Sequence, residues 1–292
     1  MKRIAWLTDI HLNFVPYHEF LAFVDSVAKH NPDAVLITGD TGEADSVIPY
    51  LDEMAGLLER NIYFVLGNHD FYSGSISETR LLVDRMCRQN GLLTWLSSSE
   101  VIELTPTVGL IGHDSWPDGR LGDYEGSDLL LNDHFLIEEF LSTIPSDGAS
   151  SPEPEKISLQ QIKWLESKQA RQARWHIMKA LADQAAEHFE KVLPAALQSY
   201  RHVFALMHAP PFREASWYKG KISSDEWLPH FACKAVGDIL YDTMKNRPEC
   251  ELTVLCGHTH GKGQAQILDN LTVHTGGATY CRPEVQNVFE LE

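Results

Sequence analysis

No stretch of this sequence approaches the run of about 18 apolar residues that crosses a bilayer. Basic residues are scarce, with 24 Lys and Arg against 41 Asp and Glu, and the formal net charge is −17. Such a surface repels nucleic-acid backbones and anionic membranes, so non-specific binding to either is disfavoured. A basic stripe with interleaved aromatics is also lacking, which argues against a nuclease of long polymers. Cysteine is sparse and odd in number: Cys87, Cys233, Cys250, Cys256 and Cys281 show no paired spacing. That pattern reads as reduced thiols in a cytoplasmic protein, not as a disulfide framework. The first apolar run, residues 4–8, meets Asp9 and His11 at once and is too short for a secretory signal. There is no internal repeat.

Present instead is apolar material for a sizeable core, 43% of 292 residues. The first third alternates between two periods. Strand-like runs at 4–8, 34–38 and 62–66 enclose segments of helical length at 17–30 and 45–60. Phe20, Leu21, Val24 and Val27 give the first of these segments an apolar stripe at three- and four-residue steps. This β-α-β-α-β order predicts adjacent parallel strands in an α/β domain. Further strands are expected at 101–104, 107–112, 203–207, 252–255, 264–268 and 271–275, the last two joined by a turn at Asp269-Asn270. A mixed sheet or two packed sheets follows from that richness in strands. The middle reads as a loop over 114–126, a helix over 128–141, a Ser/Pro-rich break over 145–154 and a long helical stretch over 158–200. Trp175, Met178, Ala182, Ala185, Phe189, Val192 and Ala196 recur there at helical intervals, as a core-facing stripe does. The expected organisation is a single domain over 1–292, with 114–200 as a cap-like helical insertion.

The chemistry lies where strands end. Asp9-x-His11, Gly39-Asp40, Gly67-Asn68-His69-Asp70, His208 and Gly257-His258-Thr259-His260 each follow a predicted strand. Ligands of open α/β sheets collect beyond the carboxyl ends of strands, so these clusters should converge. Singly each motif is weak, since carboxylates and histidines end many strands. Together they offer mixed oxygen and nitrogen donors enough for two cations. These blocks, in this order, resemble the calcineurin-like metallophosphoesterase superfamily, and they span the chain from Asp9 to His260. The resemblance implies a sandwich of mixed β-sheets flanked by helices. It also implies two divalent or transition-metal ions, of Mn, Fe or Zn type. Asp9, His11 and His260 would hold one ion, Asn68, His208 and His258 the other, and Asp40 would bridge both. His69 would be catalytic, and Asn68 and His69 would face the substrate. Glu43 stands where some branches place an acidic partner for that histidine. Cys256 is read as a core residue.

Relatives acting on phosphoproteins extend the second block with an arginine. This chain reads Gly39-Asp40-Thr41-Gly42-Glu43-Ala44-Asp45 and has none. The implied reaction is phosphoester hydrolysis by a metal-bridging hydroxide. The substrate is expected to be small and phosphorylated, and a phosphodiester or nucleotide-like compound is favoured. A phosphomonoesterase, a non-catalytic metal-binding scaffold and a metal-dependent regulator are the alternatives. Loop residues Trp116, Arg120, Arg213, Trp217 and Tyr218 are candidates for lining a substrate pocket. Oligomeric state is not legible in the sequence.

Overall fold

The computed structural model describes residues 1–145 and 159–292. In chain order its early strands are β1 (Lys2–Leu7), β2 (Ala34–Thr38), β3 (Asn61–Val65), β4 (Leu93–Trp95), β5 (Ile102–Thr105) and β6 (Val108–Gly112). Then come β7 (His202–Leu206), β8 (Trp217–Tyr218), β9 (Lys221–Ile222), β10 (Glu251–Cys256), β11 (Gly263–Leu268), β12 (Leu271–Thr275) and β13 (Asn287–Leu291). The helices are α1 (Tyr17–Lys29), α2 (Val47–Leu58), α3 (Ile76–Gln89), α4 (Asp133–Leu136), α5 (Glu138–Leu141), α6 (Leu159–Leu165), α7 (Lys168–Ser199) and α8 (Lys234–Met244).

One sheet runs β13-β1-β2-β3-β4 and the other β11-β12-β10-β7-β6-β5, while β8 and β9 form a separate hairpin. Strands β1 to β4 are parallel, as are β6, β7, β10 and β12. Antiparallel β13, β5 and β11 close three of the edges. The central strands read as near-continuous apolar runs because both faces of each sheet are covered. In β1, Ile4 and Trp6 face the other sheet together with Leu36 and Val65 of their own, and there they meet Leu110, Phe204 and Leu206. Ala5 and Leu7 face the opposite way, into a core shared with α1, α2 and α3. The second sheet repeats the scheme: Val203, Ala205, Leu252, Val254 and Cys256 pack against α7 and α8. The result is a two-sheet α/β sandwich flanked by helices.

The stripe expected on the long helix is buried from Met178 to Ala196. Met178 and Leu181 join the first core and Phe189 to Leu197 the second, so α7 runs along both. The expected helix over 128–141 is corrected: the chain there is loop with two single-turn helices, α4 and α5. Its backbone is drawn towards the first sheet, where Ser73 N–H donates to Leu136 O and Glu138 N–H to Gly74 O. The Ser/Pro-rich break after Pro145, and Ser158, lie outside the described residues. Helices α3 and α8 and strands β4 and β13 were not anticipated. No helix among the described residues is long and apolar enough to cross a membrane.

Asp114, directly after β6, locks several elements together. Its carboxylate accepts from Leu66 N–H (2.8 Å), Trp95 Nε1 (2.8 Å) and Ser97 Oγ (2.7 Å), and pairs with Arg80 at 3.1 Å. Burial works against the charge, but Arg80, His113 and these donors hold the carboxyl below its usual range. Its stabilisation is therefore present above about pH 4 and is lost as pH falls through the folded value. Asp114→Ala strands a partly buried guanidinium, a buried indole N–H and a backbone N–H, and is expected to cost about 2–4 kcal/mol. The denaturant midpoint at pH 7 measures it; a loss under about 1 kcal/mol would show that the lock carries little.

Candidate metal centre

All the motif residues leave the carboxyl ends of β1, β2, β3, β7 and β10, and the loops are stitched to one another. Asp9 N–H donates to Gly39 O, His11 N–H to Asp40 O, Gly257 N–H to His208 O, and His258 N–H to the Asp9 carboxylate. Asp9, His11, Asp40, His258 and His260 all adopt positive φ, between 41° and 67°. Asp and His tolerate that region better than most residues, yet each instance costs free energy that the surrounding structure must offset. Two glycines permit the close approach. A Cβ on Gly67 would strike Asp40 and His208, and one on Gly257 would strike Asp9 Oδ2 and Thr8 Oγ1.

The seven expected donors fall into two groups. In the first, His11 Nε2 lies 3.1 Å from His260 Nε2, and Asp9 Oδ1 lies 3.5 Å from His260 Nε2. Ligating atoms of Asp9, His11, Asp40 and His260 all lie within 4.8 Å of one another. In the second, Asn68 Oδ1, His208 Nε2 and His258 Nδ1 are separated by 3.0, 3.0 and 3.2 Å. Asp40 stands between them: Oδ2 is 3.7 Å from His11 Nε2 and Oδ1 is 3.4 Å from His208 Nε2.

The second group tests whether a cation fits. Backbone carbonyls only accept, so His208 Nδ1–H donates to Thr38 O (2.8 Å) and His258 Nε2–H to His230 O (2.9 Å). Burial lowers both rings, His258 to about 4, so both are neutral at pH 7. Their other nitrogens are then bare lone pairs. Asn68 is turned the same way, because its Nδ2 donates to Asp133 Oδ1 (2.8 Å) and to Tyr72 Oη (3.1 Å). Three acceptors thus meet with no hydrogen between them, which is repulsive until a cation occupies the centre. Donors at about 2.1 Å in adjacent octahedral positions lie about 3 Å apart, as these do.

His69 is nearly buried. Its N–H donates to Asp40 Oδ1 (2.9 Å), and its ring stacks on Tyr72 at 4.2 Å and meets the edge of His11 at 4.5 Å. Burial, then the neighbouring histidines, lower it to about 2. Burial alone would raise the Asp9 carboxyl, but His260 and the other histidines bring it well below its ordinary range. Asp40 is raised well above its range, by burial and then by the Asp9 and Asp70 charges. Bound cations invert that last balance.

The other candidates are placed differently. Glu43 accepts from Asn13 Nδ2 at 3.1 Å, and His69 Nδ1 has no hydrogen-bond partner among the described residues. Trp116 is not a pocket residue: it is buried between Phe71 and Phe140. Arg120 is held by Asp118 and Asp183, and Arg213 by Asp225. Trp217 lies against Gly263, three residues beyond His260, and Tyr218 stacks on Trp227.

Sequence reasoning missed three groups that hold the donors in place: the Thr38 and His230 carbonyls, and Asp133. The carbonyls have no signal in the sequence. Asp133 lies in the segment read as helix, where one aspartate is unremarkable. Its carboxylate fixes which end of the Asn68 amide faces the centre, and Tyr72 Oη donates to the same oxygen at 2.6 Å. Asp133→Ala frees the amide to rotate and is expected to weaken one of two metal sites by about 10–100-fold. Calorimetric metal titration checks this; two unchanged affinities would show that Asn68 is oriented by something else.

The profile of the calcineurin-like phosphoesterase family matches residues 2–262. A phosphopantetheinyl hydrolase from Mycobacterium tuberculosis superposes with a TM-score of 0.53 at 15% identity, over 95% of this chain and 89% of its own. A dimetal phosphatase from Danio rerio does so with a TM-score of 0.51 at 14% identity, over 94% and 87%. At such identities the likeness is one of fold. No curated protein matches the sequence significantly. The family match covers most of the chain and every donor described above, so the chain belongs to the calcineurin-like phosphoesterases and is a dinuclear phosphoester hydrolase.

Proposed function

We propose that the protein hydrolyses small phosphodiesters or nucleotide-like esters at a two-cation centre. Asp9, His11 and His260 would hold one ion, Asn68, His208 and His258 the other, and Asp40 would join them. The observation that carries this reading is the position of Asp40, whose two oxygens face the two donor groups separately. Nitrogen donors mixed with carboxylate and amide oxygens suit Mn, Fe or Zn. Two bound ions would supply Lewis acidity towards a phosphoryl oxygen and make water a competent nucleophile at neutral pH.

The chain's own residues do the rest. Asp40 and Asp9 bring the only formal negative charges among the donors, so a loaded centre keeps net positive charge for a phosphate. His69, a neutral imidazole at pH 7, offers an N–H to a phosphoryl or departing oxygen. Its backbone N–H on Asp40 ties that ring to the bridging carboxylate. Aromatic side chains stand at both ends of the donor row: Tyr280 beside His11 and His260, and Phe231 beside His258 at 5.6 Å. Of the two, Tyr280 is exposed and open to a substituent of the phosphate, while Phe231 is buried beside His258. We read residues 1–292 as one domain, with 114–200 inserted between β6 and β7.

Reconstituted protein should bind two transition-metal ions per chain and cleave bis(p-nitrophenyl) phosphate in preference to p-nitrophenyl phosphate. A reversed preference would make it a phosphomonoesterase. His69→Ala should keep both ions while kcat falls about 10²–10⁴-fold on an ester with a poor leaving group. His260→Ala should shed one ion and recover part of its activity at high metal concentration. Metal analysis alongside kcat on both variants separates the roles, and a His69→Ala protein that lost its ions would make His69 a ligand.

A further inference from the structure

We propose that Tyr280 and Phe14 form a subsite for a planar ring of the substrate, a nucleobase or an aryl group. The proposal rests on the two-cation reading above and adds to it the chemical class of the group beside the phosphate. Four aromatic side chains among the described residues are largely exposed: Phe14, Tyr17, Tyr241 and Tyr280. Single exposed aromatics are ordinary. Phe14 and Tyr280 differ because they stand together at the centre, their rings 5.2 Å apart and crossed at 82°. The Tyr280 ring is 4.7 Å from that of His11, 5.1 Å from His260 and 6.2 Å from His69. Phe14 lies 6.2 Å from His11.

Both rings are held ready. Phe14 closes the single 3-10 turn that follows His11, and its N–H donates to His11 O. Strand β12 gives way after Thr275 to Gly276-Gly277, where buried Gln286 grips Gly277 twice: Oε1 accepts from its N–H (3.0 Å) and Nε2 donates to its carbonyl (2.8 Å). Next along the chain, Ala278 N–H donates to His260 O at 3.3 Å. The loop that carries Tyr280 is thus tied to the backbone of a proposed metal donor, so the ring keeps a fixed place relative to a bound phosphate. A right-angled aromatic corner whose outer surface is open offers one π-face and one edge. A flat aromatic ring in such a corner gains stacked and edge-to-face contacts that a sugar or an alkyl chain does not make. Stacking of one base on one aromatic side chain is a sequence-tolerant contact, which suits recognition of a ring as a class.

The test uses the full chain loaded with Mn and initial-rate inhibition of bis(p-nitrophenyl) phosphate hydrolysis. Inorganic phosphate, ribose 5-phosphate, AMP and phenyl phosphate are the competitors. AMP should inhibit about tenfold more tightly than ribose 5-phosphate. Tyr280→Leu, which keeps bulk over His11 but removes the ring, should bring AMP to within about twofold of ribose 5-phosphate, while Tyr280→Phe keeps the advantage. Phe14→Leu should remove part of it. Phenyl phosphate matching AMP assigns the corner to aryl groups, and phenyl phosphate matching ribose 5-phosphate assigns it to nucleobases. Equal inhibition by AMP and ribose 5-phosphate in the parent protein overturns the subsite while leaving the two-cation reading intact. So does an AMP advantage that survives Tyr280→Leu together with Phe14→Leu. Loss of an ion from Tyr280→Leu would show the ring to be packing for His11 and overturns the proposal as well. Failure of inorganic phosphate to inhibit would overturn the two-cation reading and the subsite with it.

Discussion

A single buried carboxylate sets the geometry on which the centre depends. Asp70 is wholly buried and accepts four backbone N–H groups: those of Asp40 (2.9 Å), Thr41 (2.8 Å), Gly42 (2.9 Å) and Gly67 (2.8 Å). Burial raises its pKa to about 7, against the pull of those four donors. A turn with Asp40 at positive φ has no regular partner for its N–H groups, and a buried donor without a partner costs about 1–3 kcal/mol. Asp70 supplies those partners from the neighbouring loop. It thereby fixes the loops after β2 and β3 relative to each other, and Asp40 can then reach both donor groups. His69, next in the chain to Asp70, closes the circuit by donating its own N–H back to Asp40.

Such local strain persists only because the scaffold beneath it leaves few alternatives. Both faces of β1, β2, β3, β7 and β10 are buried, and slipping any of them by one residue would exchange every inward and outward side chain. Register is therefore fixed, and so is the height at which each strand releases its polar loop. The two sheets contribute unequally. The first delivers Asp9, His11, Asp40 and Asn68, while the second delivers His208, His258 and His260. The centre exists only where the sheets meet, so packing between them, through Trp6, Leu36, Phe204 and Leu206, is also what brings its two halves together.

Most of this was legible where chemistry and periodicity agree. Strands rich in β-branched residues and buried on both faces announce themselves, and each ended in a polar cluster that no ordinary turn requires. What escaped lacked one of those signals. Helix α3 is polar along most of its length, and its start was marked only by Ser75 and Glu78; the Ser75 side chain accepts from Glu78 N–H. Strand β4 has three residues, too few to show a period. Strand β13 pairs with β1 from the far end of the chain, a partnership no local pattern can reveal. The 128–141 segment has helical composition, yet Asp133 is committed to Asn68 and Tyr72 and the neighbouring backbone to 73–74, so tertiary contacts override propensity there. Asn68 shows the limit most plainly: its place in a polar cluster after a strand was readable, but the direction of its amide is decided 65 residues away.

Burial also decides when the donors are free. His11 is lowered to about 3 and His258 to about 4, in each case chiefly by burial, so at neutral pH no proton occupies the lone pairs a cation needs. Metal binding to histidine ordinarily competes with protonation, and at His11 and His258 that competition has been moved towards acid. His260 is the exception. Burial would lower it, but its hydrogen bond to Asp9 and the Asp9 charge raise it instead. Without a cation, Asp9 favours the protonated form of His260, and a cation entering the first group competes with that proton. No such pair exists in the second group, where Asn68 is uncharged and the two histidines turn bare nitrogens towards its oxygen. The two halves of the centre therefore differ in what holds them when empty: one rests on the Asp9–His260 contact, the other on Asp133, Tyr72 and two carbonyls that hold three acceptors in place against their mutual repulsion.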